Sequence, residues 1–198
     1  MADASKWTST SEKGPDHEAL DVLPRSRGKV AIVTGAGSGI GQATAKRIAA
    51  EAGSVVCVDL FAETAEKTAA EITEAGGTAI GLGCDVSSAS AVEFTVAATI
   101  AEYGRVDALC NIAGIGTFAN SHEMDLAQFD KIVAVNLNGS AYMIRFVLPH
   151  MLDQGGGVIV NTSSSAFERA TGTLTWRSET IEAAPSGMPS RRLRMAMM

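Results

Sequence analysis

The chain has 198 residues, 46% of them hydrophobic and 19% charged, with 20 glycines and a formal net charge of −6. That length suits one domain with a sizeable core, and the composition excludes collagen-like, mucin-like and wholly disordered chains. A pI near 5.1 argues against a nucleic-acid partner, which needs a basic footprint, and no apolar run approaches the roughly 20 residues of a membrane span.

Residues 1–27 are polar, broken by Pro15 and Pro24, and are expected to be a mobile N-terminal extension. They hold no apolar signal core, and Asp3, Glu12, Asp16, Glu18 and Asp21 are too many acids for an organelle transit peptide. From Gly28 the chain alternates strands with helices. Lys29–Thr34 is a buried strand, followed by a glycine loop and a helix over 42–52. Ser54–Val58 forms the second strand and Asp59 ends it; a helix over 62–75 stops at Gly76-Gly77. Thr78–Leu82 is the third strand, and Ser87 or Ser88 caps the next helix. Val106–Ile112 is the fourth. A long helix begins at Leu126 behind Asp125 and is bent or ended by Pro149, before a fifth strand at Val158–Asn161.

Such alternation predicts an α/β, Rossmann-like doubly wound parallel sheet of about five strands, order 3-2-1-4-5, occupying residues 28–173. Cys57, Cys84 and Cys110 lack zinc or redox spacing. They are expected as buried thiols in a reducing, cytoplasmic setting, and no metal site is expected.

The loop Thr34-Gly-Ala-Gly-Ser-Gly-Ile-Gly41 does not fit GxGxxG, but it does fit Thr-Gly-x-x-x-Gly-x-Gly. Its glycines let backbone approach a pyrophosphate, and the following helix offers unpaired N–H groups at its positive end. Asp59 sits at the end of the second strand, 20 residues after Gly39, where a carboxylate accepts hydrogen bonds from adenosine ribose hydroxyls. The same charge repels a 2′-phosphate, so NAD is favoured over NADP. Asp85 either reaches the adenine end or caps a helix.

Together with Cys84-Asp85-Val86, Asn111-Ile-Ala-Gly114, Val135-Asn136-Leu137-Asn-Gly139 and Val160-Asn-Thr-Ser-Ser164, this set resembles the short-chain dehydrogenase/reductase family. The resemblance covers residues 28–173, with Ile112 standing where the family usually repeats Asn. It implies that Gly35, Ser38, Gly39, Ile40, Gly41, Asp59, Asp85, Val86, Asn111, Ala113 and Gly114 hold the cofactor. It also implies that Asn136 positions a proton-relay water and that Ser164 bonds the oxygen of a small alcohol or ketone substrate.

In the family a Tyr and, four residues later, a Lys complete the catalytic set. At the expected distance from Ser164 this chain has Trp176 and Arg177, then Thr180 and Ile181. Both tyrosines, Tyr103 and Tyr142, lie upstream, and the last lysine is Lys131. Arg177 does not replace Tyr, because guanidinium keeps its proton, and Tyr142 reads as a packing residue. Residues 174–198, rich in Arg, Met and Pro, read as an atypical disordered tail from a truncated, frame-shifted or respliced product. The fifth strand is then a bare sheet edge, and the family's homo-oligomer interface is incomplete. The expected function is that of an NAD-dependent dehydrogenase lineage acting on a secondary alcohol or ketone, with little or no activity in this chain. The alternative is a non-catalytic NAD-binding module or remnant that pairs with a full-length relative.

Overall fold

The computed structural model describes residues 23–117, 123–163 and 193–197. In chain order the elements are β1 (Val30–Thr34), α1 (Gly39–Ala50), β2 (Ser54–Asp59), α2 (Ala62–Glu74), β3 (Thr78–Gly83), α3 (Ala89–Tyr103) and β4 (Ala108–Asn111). They continue with α4 (Leu126–Val133), a π-helical turn (Ala134–Asn138), α5 (Gly139–Asp153), β5 (Gly157–Asn161) and β6 (Leu193–Met197). Strands pair in parallel in the order β3-β2-β1-β4-β5-β6, and the first five have the order 3-2-1-4-5 read from the sequence.

Strand residues alternate between two apolar faces, as a parallel sheet covered on both sides requires. Ile32, Val56, Val58, Leu109 and Ile159 meet Val92 and Val96 of α3 and Met143, Val147 and Met151 of α5. Val33, Val55, Cys57 and Cys110 meet the other layer, built from Ala45 and Ala49 of α1 and Ala65, Ala69 and Ile72 of α2. The small side chains of that layer let α1 and α2 lie close to the sheet, which brings the start of α1 near the carboxyl ends of β1 and β2. All three thiols are buried and free, and burial pushes Cys57 up to about 12 and Cys110 to about 11.

The structure refines the sequence reading at three places. The helix after Asp125 is continuous from Leu126 to Asp153 and is interrupted only by the π turn; Pro149 lies inside α5 without ending it. At 28 residues it is long and apolar enough, by length and composition only, to cross a membrane; its apolar residues do not form one unbroken run, because Lys131, Arg145 and His150 are spread along it. Residues 23–27, assigned above to the extension, are anchored. Arg25 pairs with Glu51, and the Ser26 N–H donates to the Glu51 carbonyl at 3.0 Å, a long-range contact that local composition does not encode. Finally, β5 is not the sheet edge. Leu193–Met197 pairs with it from Gly157↔Leu193 to Asn161↔Met197, correcting the expectation of a bare fifth strand and of a tail without regular structure there. An unpaired strand edge is a ready template for any extended segment that can reach it. The remaining tail residues, residues 1–22 and Ser164 lie outside the described residues.

Asp107, just before β4, ties the amino end of the sheet together. It accepts from the Val30 N–H at 3.0 Å, from Lys29 at 3.1 Å and from Arg105 at 2.6 and 2.7 Å. Burial raises its pKa, but Arg105, the Val30 N–H and Lys29 outweigh burial and hold it below the usual 3.8. A carboxylate depressed in the folded state contributes stability that is present above its unfolded pKa and lost as pH falls through the folded one. Denaturant midpoints measured between pH 6 and pH 2.5 should therefore fall below about pH 4, and Asp107→Asn should flatten part of that fall while lowering the midpoint at neutral pH.

Candidate functional site

The carboxyl ends of the central strands form one rim, because register places Thr34 opposite Val58 and Asn111 opposite Asn161. Thr34 ends β1 with its side chain buried. Its hydroxyl donates to the Cys110 carbonyl at 3.4 Å and accepts from the Ile112 and Ala113 N–H groups at 3.0 and 3.1 Å. One hydroxyl thus fixes the turn after β4 against the start of the glycine loop. Thr34 opens the loop motif, but its role was not legible in the sequence, since its partners are 76 to 79 residues away.

The glycine loop is shaped by close approach. Gly35 has φ +68°, and a Cβ there would meet the Ala113 backbone at 3.0 Å. A Cβ on Gly41 would overlap the Gly35 carbonyl, so the first turn of α1 packs directly on the loop. At Gly39 a Cβ would meet no protein atom; the space over it is open cleft. Ser38 is the N-cap residue of α1 but makes no side-chain cap bond, and the first turn of α1 holds no acidic residue. The hydroxyl and the helix's leading N–H groups are therefore left for a ligand, and the dipole favours an anion.

Asp59 ends β2 with one carboxylate oxygen on the Gly37 N–H at 2.9 Å; the other accepts from Thr64 Oγ1 at 3.2 Å and the Phe61 N–H at 3.4 Å. The acid thus braces the loop as well as facing the cleft. Asp85 accepts from the Ser87 N–H at 2.9 Å and the Ser87 hydroxyl at 2.6 Å. Ser88, not Asp85, caps α3, which settles the choice between Ser87 and Ser88. Asn111 is buried. Its Nδ2 donates to Asn161 Oδ1 at 2.9 Å, while its own Oδ1 has no partner, so it joins the ends of β4 and β5.

Asn136 lies in the π turn, a distortion often found at functional positions. Its side chain is paired in both directions with Ile115, accepting from the N–H at 2.9 Å and donating to the carbonyl at 2.8 Å. It latches the 111–115 turn to the long helix. The Asn136 carbonyl accepts from the Ser140 hydroxyl at 3.1 Å. Tyr142 and Tyr103 pack against the core, in keeping with the packing role read for Tyr142.

These elements enclose a cleft of about 500 Å³. Of the residues expected to hold the cofactor, Gly35, Ser38, Gly39, Ile40, Gly41, Asp59, Asp85, Val86, Ala113 and Gly114 line it; Asn111 supports it from behind. The sequence reading missed Leu60, Ile115 and Lys131 in the lining. Ile40, Leu60 and Ile115 are 68%, 57% and 40% exposed, large apolar surfaces left bare around a polar floor. Among the described residues no group of three or more His, Cys, Asp or Glu could hold a metal.

A parallel sheet with a glycine loop at its switch point, an acid ending β2 and a cleft across the strand ends defines a Rossmann-type fold. The chain belongs to the short chain dehydrogenase family, whose model matches residues 29–174. It is 44% identical over 148 residues to a D-threitol dehydrogenase of Mycolicibacterium smegmatis, covering 75% of this chain and 57% of that protein. It is 45% identical over 159 residues to the short-chain reductase protein NovJ of Streptomyces niveus, covering 80% and 61%. A levodione reductase of Leifsonia aquatica is 40% identical over 147 residues, covering 73% and 55%. The chain thus spans about three-fifths of the relatives it matches. Members of this family use nicotinamide dinucleotides as cofactors, and the open space over Gly39 and the uncommitted N-terminus of α1 fit the phosphates of such a group.

Two substitutions test the architecture of the site. Thr34→Val leaves the Ile112 and Ala113 N–H groups without their acceptor and should cost about 2–4 kcal/mol in denaturant unfolding, whereas Thr34→Ser should restore most of it. Gly41→Ala, which forces backbone apart, should abolish any dinucleotide affinity in calorimetry and lower thermal stability.

Proposed function

We propose that this chain binds NAD across the cleft and descends from dehydrogenases of secondary alcohols and ketones, but has little or no turnover of its own. The observation that carries the binding half is the convergence of Ser38, the α1 N-terminus and Asp59 on one cleft with exposed Ile40, Leu60 and Ile115. In this reading Ser38 and the first N–H groups of α1 hold the pyrophosphate. Asp59 accepts from the adenosine ribose hydroxyls while staying anchored on Gly37 and Thr64. Its charge opposes a 2′-phosphate, which supports NAD over NADP. Asp85 and Val86 face the adenine end. Ala113 and Gly114 border the nicotinamide side, where Asn136 keeps their turn in place through Ile115.

Bound NAD would supply a hydride acceptor or donor. The matched role of Ser164 is to bond the substrate oxygen, and Asn136 matches the residue that positions a proton-relay water. Hydride transfer to a ketone also needs a proton delivered to the developing alkoxide. Trp176, Arg177, Thr180 and Ile181 stand where the family's Tyr and Lys are expected, and none of them exchanges a proton at working pH. The exposed Leu126, Leu137 and Leu152 of the long helix favour the companion reading that the chain pairs with a second copy or a full-length relative. The buried thiols suit a reducing, cytoplasmic compartment.

Calorimetry and an absorbance assay at 340 nm separate binding from turnover. NAD should bind the purified chain, and NADP about ten-fold more weakly; Asp59→Ser should narrow that gap. Secondary alcohols such as cyclohexanol should give no NADH above background. Absent NAD binding would refute the reading, and robust turnover would refute its inactive half.

A further inference from the structure

The cleft floor carries two carboxylates, Asp59 and Asp85, and the protein as a whole is acidic. A pyrophosphate brings two more negative charges, while the glycine loop contains no lysine or arginine. Backbone N–H groups and a helix dipole offset part of this repulsion, but the helix contributes only about half an elementary charge at its N-terminus.

Among the described residues lining the cleft, Lys131 is the single cation. It lies on α4 four residues before Val135, and both line the cleft, as expected for neighbours on one helical face. Lys131 takes part in none of the ion pairs among the described residues, which occupy Arg25, Lys29, Lys46, Arg47 and Arg105. The π turn that follows α4 is held in place, because Asn136 is hydrogen-bonded in both directions to Ile115, which also lines the cleft.

Building on the NAD-binding reading, we propose that Lys131 is a cofactor-binding residue whose ammonium group pairs with the pyrophosphate from the α4 wall, supplying the charge that the glycine loop lacks. Lysine suits this task because it is a flexible point charge that can reach a phosphate from a helix at the rim. The contact is between mobile, partly solvated groups, so its effect is moderate and sensitive to salt.

The test titrates ADP-ribose, 2′-phospho-ADP-ribose and adenosine into the full chain and into Lys131→Ala, Lys131→Gln and Lys131→Arg by calorimetry, with ligand-free melting temperatures as the folding control. Lys131→Ala and Lys131→Gln should weaken ADP-ribose about five-fold and leave adenosine unchanged. Lys131→Arg should restore the affinity, and the wild-type advantage should shrink at 0.5 M salt. Unchanged ADP-ribose affinity in the Ala and Gln variants, or an equal loss for adenosine, would overturn the assignment. A loss confined to the 2′-phosphorylated ligand would also overturn it, placing the amine at the ribose instead. A wild-type chain that binds none of the three ligands would fail the NAD reading itself, a result distinct from any difference among variants.

Discussion

The site depends on the register of the central strand. β1 is buried along its whole length and pairs in parallel with β2 on one side and β4 on the other. A parallel register shifted by one residue would exchange the two apolar faces, moving Ile32 and Val33 into each other's layers. It would also pull Thr34 away from the Cys110 carbonyl and the Ile112 and Ala113 N–H groups. The same hydrophobic pattern that builds the core therefore aligns the ends of β1, β2 and β4, and the cleft follows from that alignment. At the other end of the sheet, Asp107 joins the start of β1 to the approach to β4, so the register is held at both ends.

Much of this architecture is legible in the sequence because it rests on local signals. Runs of Val, Ile, Leu and Ala with glycine punctuation mark the first five strands, and Asp125 and Ser88 cap the helices they precede. The glycine loop and Asp59 are readable because one strand, one turn and one helix place them. What is not legible depends on distant partners. The roles of Thr34 and Asn136 are set by contacts with the turn after β4, and nothing adjacent to either residue specifies them. Lys131 looks like an ordinary surface lysine on a helix until the fold makes it part of the cleft lining. The π turn is likewise silent in the hydrophobic periodicity, which runs through it unbroken. β6 has no signal of its own beyond an Arg- and Met-rich stretch, and only the edge of β5 gives it a place.

Residues that shape the cleft lie between Gly35 and Val135, inside the segment shared with the dehydrogenase relatives. In the proposed reading, the residues that would move a proton belong to the stretch after Ser164, where Trp176, Arg177, Thr180 and Ile181 stand at the positions expected for Tyr and Lys. Under the proposed reading a cofactor cradle is kept in a chain with little or no turnover, so binding and chemistry are separate properties of it.

Hydrogen–deuterium exchange with and without saturating NAD tests the central claim most directly, because it reports where the ligand sits independently of any turnover. The account predicts slower exchange in residues 35–42, 59–61, 85–87 and 112–115, with β3 and the outer face of α2 unaffected. Protection spread evenly over the sheet, or absent from the glycine loop while NAD binds, would contradict it.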